Sequence, residues 1–89
     1  MLTKVTKLEE LEGFRLGVHF SDGSHGVHDF SDLAKKPGEM REPLRDLAFF
    51  ARAFLEFGAP TWPNGYDIAP EWLFREMMAA KELNKVAAE

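Results

Sequence analysis

No cysteine occurs in this chain of 89 residues. Disulfide frameworks, thiolate-bound zinc and cysteine nucleophiles are therefore excluded. Long apolar runs are missing as well. No stretch approaches the roughly 20 residues that a membrane-spanning helix needs. Residues Met1 to Gly13 alternate charged and apolar types and lack the basic start and apolar run of a secretory signal, so a cytoplasmic protein is expected. Positive charge is scarce: 11 Lys and Arg stand against 15 Asp and Glu, a net charge of −4. The only adjacent basic pair, Lys35-Lys36, is diluted by Asp32, Glu39 and Glu42. Phosphate backbones repel such a chain unless its cations cluster, so nucleic-acid binding by this domain alone is disfavoured.

What is abundant is aromatic bulk. Eight Phe and two Trp lie in a chain that is 45% hydrophobic. Large aromatic side chains bury the most surface per residue, so a packed interior is expected and disorder is not. The length allows one domain, spanning 1–89, with its core over about 2–80 and a frayed end over 81–89. No repeat, linker or low-complexity segment interrupts it.

Met1 to Leu8, with Thr3, Val5 and Thr6, reads as a first strand, followed by a polar connection over Glu9 to Gly13. Phe14, Leu16, Val18 and Phe20 alternate with Arg15, Gly17 and His19, which predicts a strand with one buried face. Asp22-Gly23 then signals a hairpin of the type I′ kind, in which both central residues take positive φ. A two-residue loop there places Phe20 opposite His25, Val18 opposite Val27 and Leu16 opposite Asp29, with the third strand over Ser24 to Phe30. Ser31 or Asp32 caps a short helical turn that Pro37-Gly38 stops, and Glu39 to Pro43 is loop. From Leu44 to Phe57 two readings stay open. Leu44, Leu47, Ala48, Ala51, Phe54 and Leu55 fit a helix face; Phe49, Ala51, Ala53, Leu55 and Phe57 fit a strand face. Gly58-Ala59-Pro60 reads as a turn, with Thr61-Trp62 returning as a brief strand. Pro70 suits the first position of a final helix reaching about Val86, with Leu73, Met77, Ala80 and the stem of Lys81 facing inward. The fold class expected is α+β: a three-stranded antiparallel start, a second hairpin, and a C-terminal helix packed on the small sheet.

Chemistry-bearing residues are few. His19, His25 and His28 share one hairpin. In the register above His19 and His28 lie diagonally on one face, about 7–8 Å apart at Cβ. Metal sites need three or four convergent ligands, so ordinary strand histidines are the favoured reading. The carboxylates are scattered, and no pair is fixed across a cleft as glycosidic chemistry requires. The glycines at 13, 17, 23 and 26 precede no helix and form no phosphate loop. No catalytic residue, metal ligand or cofactor is expected, and the chain reads as a non-enzyme.

The most distinctive run is Trp62-Pro63-Asn64-Gly65-Tyr66-Asp67, just ahead of the final helix. Local structure accounts for all of it: Trp62 packing over the helix start, Asn64-Gly65 making the turn, Asp67 capping the helix. The functional reading is a ligand or partner surface built on Trp62, Asn64, Tyr66 and Asp67. Trp72, Phe74 and Met78 lie off the Leu73 stripe, and exposed apolar surface there points to a homodimer or a protein partner. Trp72 joins the candidate binding residues.

Phe20-Ser21-Asp22-Gly23, Val27 with Asp29-Phe30-Ser31-x-Leu33, Leu44-x-Asp46 with Phe50, and Thr61-Trp62-Pro63-Asn64-Gly65-x-Asp67-Ile68-x-Pro70-Glu71-x-Leu73 resemble the family catalogued as domain of unknown function 2442. The likeness covers about residues 2 to 75. It implies a small bacterial α+β domain with antiparallel strands, a strand near Phe50 to Phe57, and a helix after the Trp-Pro-Asn-Gly corner. Some members precede a helix-turn-helix domain and others look like one partner of a toxin–antitoxin pair. The resemblance therefore implies a protein-interaction or regulatory module, antitoxin-like in its most concrete form. It carries no catalytic residues. Two departures stand out: Asp29 lies further from the next Leu than in the family pattern, and Ala69 replaces a Ser cap, which shifts the capping role to Asp67. A transcriptional regulator touching DNA and a small-ligand site beside Trp62 and Tyr66 are the alternatives from other classes.

Overall fold

The alternation at Phe14–Phe20 shapes an interior strand of the larger sheet, seen here in a computed structural model that describes residues 3–85. Strand β2 (Arg15–Phe20) sits between β1 (Val5–Glu10) and β3 (Ser24–Asp29), antiparallel to both. Leu16, Val18 and Phe20 point into the core, as their period of two requires. β1 runs further than expected, through Glu9 and Glu10. Its register shifts between Val5 and Lys7, and the intervening Thr6 hydroxyl donates to the His19 carbonyl. Such a bulge re-aims the strand without breaking the ladder.

The β2–β3 hairpin differs from the expected one by a single residue. The pairs are His19 with His25, Val18 with Gly26, Gly17 with Val27, and Leu16 with His28. Three residues, Ser21 to Gly23, form the loop. The Gly23 N–H donates to the Phe20 carbonyl, only Gly23 takes positive φ (92°), and the Asp22 carboxylate accepts from both the Ser24 N–H and the Ser24 hydroxyl. This is the type I turn with a following left-handed glycine. The Asp22–Ser24 bonds favour it, because they hold Asp22 at negative φ where the type I′ turn needs positive. One residue of slip moves every side chain of β3 to the other face. His25 therefore joins His19 on the outer face and His28 joins the core side, the reverse of the sequence expectation. Val27 becomes exposed for the same reason.

After β3 the chain turns through α1 (Ser31–Lys35), a 3-10 turn (Glu42–Arg45) and the single helical turn α2 (Leu47–Phe50). Asp46 caps α2, its carboxylate accepting from the Ala48 N–H. Then β4 (Phe54–Glu56) pairs with β5 (Ala59–Thr61). The two open readings of Leu44 to Phe57 are each correct in part: helical to Phe50, strand from Phe54. The turn of this second hairpin is Phe57-Gly58, not Gly58 to Pro60. Both residues take positive φ, 52° and 79°, so the type I′ loop expected at Asp22-Gly23 is found here.

Helix α3 (Pro70–Ala79) covers the sheet, with Leu73 and Met77 fully buried. It is shorter than expected. Lys81, at φ 60°, sits just past its end, the Glu82 N–H donates to the Met77 carbonyl and the Lys81 N–H to that of Met78. That pattern closes a helix through a left-handed residue. Ala80 and Lys81 are consequently exposed, not part of the inward stripe. Beyond them the chain returns to the sheet, where β6 (Asn84–Lys85) pairs with Ser24 and His25 and gives the strand order β1-β2-β3-β6. Residues 86–89, the rest of the segment expected to fray, lie outside the described residues.

Rings fill the interior. Phe50 meets Phe14 edge-on at 5.3 Å, Phe30 at 5.8 Å and Trp62 at 5.6 Å, and Phe20 meets Phe74 edge-on at 5.1 Å. Tilted and edge-on contacts of this kind add about 0.5–1.5 kcal/mol each beyond area burial. Among the described residues no helix is long and apolar enough to cross a membrane.

Candidate functional site

The Trp62–Asp67 corner is a closed loop. The Trp62 N–H donates to the Tyr66 carbonyl and the Gly65 N–H to the Trp62 carbonyl, with Gly65 at φ 91°. Asn64 locks it from both ends: its side-chain oxygen accepts from the Tyr66 N–H, and its amide donates to the Met40 carbonyl at 2.9 Å. Trp62 is 0% exposed, and its Nε1–H donates to the Phe50 carbonyl at 2.9 Å. A buried indole N–H without a partner is costly, and this bond removes that cost while pinning the corner to α2.

Asp67 does not cap α3. The N-cap is Ala69, no side chain bonds to the helix N-terminus, and Pro70 at the first position needs no acceptor. Asp67 instead forms an isolated bridge with Thr61 through the backbone, and its carboxylate has no hydrogen-bond partner among the described residues. The expected capping role is therefore wrong. One residue separates Asp67 from Ala69, and that residue, Ile68, is spent on the core, with its N–H bonded to the Pro60 carbonyl.

What the corner does is place Tyr66 and Asp67 beside a groove between α1 and α3. The groove consists of two adjoining hollows of about 290 and 230 Å³ that share Leu33, Lys36 and Trp72. Arg41, Tyr66, Asp67, Ile68 and Ala69 complete the first; His28, Asp29, Asp32 and Glu76 complete the second. Tyr66 and Trp72 are half-buried. Burial pushes the Tyr66 phenol up from its ordinary value, against the opposing pull of the Arg41 charge. It therefore stands in the groove as a neutral hydroxyl at physiological pH. Hydrogen bonds from Ser31 hold the Asp29 carboxyl below its usual range, so it is ionised there.

Of the five residues singled out from sequence, Tyr66, Asp67 and Trp72 line this groove, whereas Trp62 and Asn64 build its support. Leu33, Lys36 and Arg41 complete it, and their place was not legible in spacing. They come from α1 and the loop after it, and only the tertiary fold sets them against the corner.

The histidines do not converge. On the outer face His19 and His25 stack with ring centroids 5.3 Å apart, and His19 Nε2 lies 3.2 Å from Glu9 Oε1. That contact, with the Lys7 charge adding to it, lowers the Glu9 carboxyl. On the core side His28 Nδ1 meets Glu82 Oε1 at 2.8 Å, tying β3 to the segment after α3. The His19–His28 pair envisaged from sequence is thus split across the sheet. Among the described residues no three His, Asp or Glu side chains are grouped to hold a metal ion.

Residues 5–78 match the family model described as "Protein of unknown function (DUF2442)". That match covers most of the chain, and the chain belongs to this family. No curated protein and no solved structure matches it.

Proposed function

We propose that this member of the DUF2442 family is a non-enzymatic protein-interaction module whose partner docks in the α1–α3 groove. The observation that carries the reading is the pairing of two half-buried aromatics, Tyr66 and Trp72, with two cations, Lys36 and Arg41, that form no ion pair among the described residues, along one groove. Aromatic and arginine side chains are the residue types that dominate binding energy at protein interfaces. The shape of the hollows supports the same reading: they adjoin as an open groove rather than an enclosed cavity, which suits successive side chains of a docked segment. The lining holds no Ser, Thr or Cys nucleophile, and its one imidazole, His28, is engaged by Glu82. An antitoxin-like or regulatory role is the concrete form of the proposal, with the product of an adjacent small reading frame as the partner to try first.

Co-purification from the native host tests it. Wild-type protein is expected to retain a partner that Trp72→Ala loses. Met78→Ala, a control on the same helix at an exposed position, is expected to keep it. A monomer recovered without any partner, or a partner indifferent to Trp72, would refute the proposal.

A further inference from the structure

The two ends of the groove differ in charge. Arg41 stands at the Tyr66 end, with Asp67 as the acid beside it, and Lys36 lies between the ends, lining both hollows. Asp29, Asp32 and Glu76 stand at the His28 end. Lys36, Asp32 and Glu76 form no ion pair among the described residues. Arg41 is more telling. Its guanidinium folds back over Gly38 and, among the described residues, forms no ion pair and leaves Nε buried without a hydrogen-bond partner. A buried donor left unpaired is disfavoured, and far more so when it belongs to a charged group. The same guanidinium swung into the groove meets an incoming carboxylate in the forked geometry that arginine favours. Between the ends, Leu33 and Trp72 offer an apolar floor common to both hollows.

From this charge complementarity we infer that the groove receives an extended segment of the partner protein in a set orientation. An acidic side chain lies at the Arg41 end, an apolar side chain rests on Leu33 and Trp72, and a basic side chain reaches Asp32 and Glu76. The inference rests on the docking role proposed above and adds the chemistry of the partner. It also disfavours a phosphate polymer, because three carboxylates occupy the other end of the same groove.

Trp72 is a built-in reporter, since the only other tryptophan, Trp62, is fully buried. The probe is the peptide acetyl-Glu-Ala-Leu-Ala-Lys-amide, titrated against tryptophan fluorescence at low salt beside its isostere with Gln at both charged positions. The charged peptide is expected to shift the emission and to bind about tenfold more tightly than the Gln peptide, the size of one charge-assisted hydrogen bond. Arg41→Gln and Lys36→Gln, each checked for native circular dichroism, are expected to reduce that preference, as is Glu76→Gln from the other end. Equal responses to the two peptides, no response to either, or tighter binding of oligothymidylate would overturn the inference. The outcomes separate the two layers: a host partner still lost with Trp72→Ala while the peptides fail removes only the charge assignment. A host partner indifferent to Trp72 removes the docking role itself.

Discussion

Replacing Phe57 by asparagine is expected to stabilise the protein, although phenylalanine is the more hydrophobic residue. Phe57 occupies the first central position of the β4–β5 turn at φ 52°, and its residue surface is 92% exposed. A left-handed backbone costs an ordinary L-residue about 1–2 kcal/mol, and asparagine escapes part of that cost through local hydrogen bonding of its short side chain. The opposing loss is small. If the hidden fraction is applied to about 200 Å² of aromatic surface, at ~25 cal/mol per Å² it comes to about 0.4 kcal/mol. Asn-Gly is also the preferred pair for a type I′ turn. The net gain is about 0.5–1 kcal/mol, which for a domain of this size raises Tm by about 2–8 °C. Phe57→Ala is the control: it removes the ring and keeps the backbone cost, so it gains nothing. Thermal melts of the three proteins by circular dichroism measure this directly. An asparagine variant that melts no higher than the alanine variant would refute the assignment of strain to this turn.

Three further predictions follow from the same contacts. A Cβ at Gly26 would run into the Glu82 backbone carbonyl oxygen, whereas one at Gly17 meets the flexible side chain of Glu9, so Gly26→Ala is expected to cost about 1–3 kcal/mol and Gly17→Ala much less in urea denaturation. Lys81→Gly is expected to stabilise by about 1 kcal/mol, because Lys81 closes α3 at φ 60°; an unchanged urea midpoint would count against that closure. Because its folded pKa is depressed, Asp29 contributes stability that is fully present above the ordinary carboxylate pKa and lost as pH falls through the lower folded value. Asp29→Asn keeps an acceptor for Ser31 but cannot titrate, so its stability deficit against wild type is expected to shrink between neutral pH and about pH 2. A deficit constant with pH would contradict the assignment.

The fold was legible where one physical signal dominated. Period-two alternation fixes β2, and Pro70 fixes the start of α3. Aromatic abundance foretells a ring-filled core, and the structure organises it around Phe50 and Trp62. The errors fall where two local signals compete. Asp22-Gly23 supports two loop lengths, and the bonds from Asp22 to Ser24 decide between them, reversing the faces of His25 and His28 while His19 stays on the outer face. Phe57-Gly58 carries no standard turn signal at its first residue, so the second hairpin was misplaced. Asp67 looked like a cap because it precedes a helix, but the chain spends Ile68 on the core before the helix begins. Half of the groove was visible as Tyr66, Asp67 and Trp72. The other half was not, because Leu33 and Arg41 acquire meaning only when α1 and its following loop pack beside α3.

The most direct measurement is backbone amide chemical-shift mapping of the isotope-labelled protein with the host partner added. The largest changes are expected at Leu33, Lys36, Arg41, Tyr66 and Trp72. Changes concentrated instead on the outer sheet face, at His19, His25 and Val27, would contradict the assignment of the groove as the docking surface.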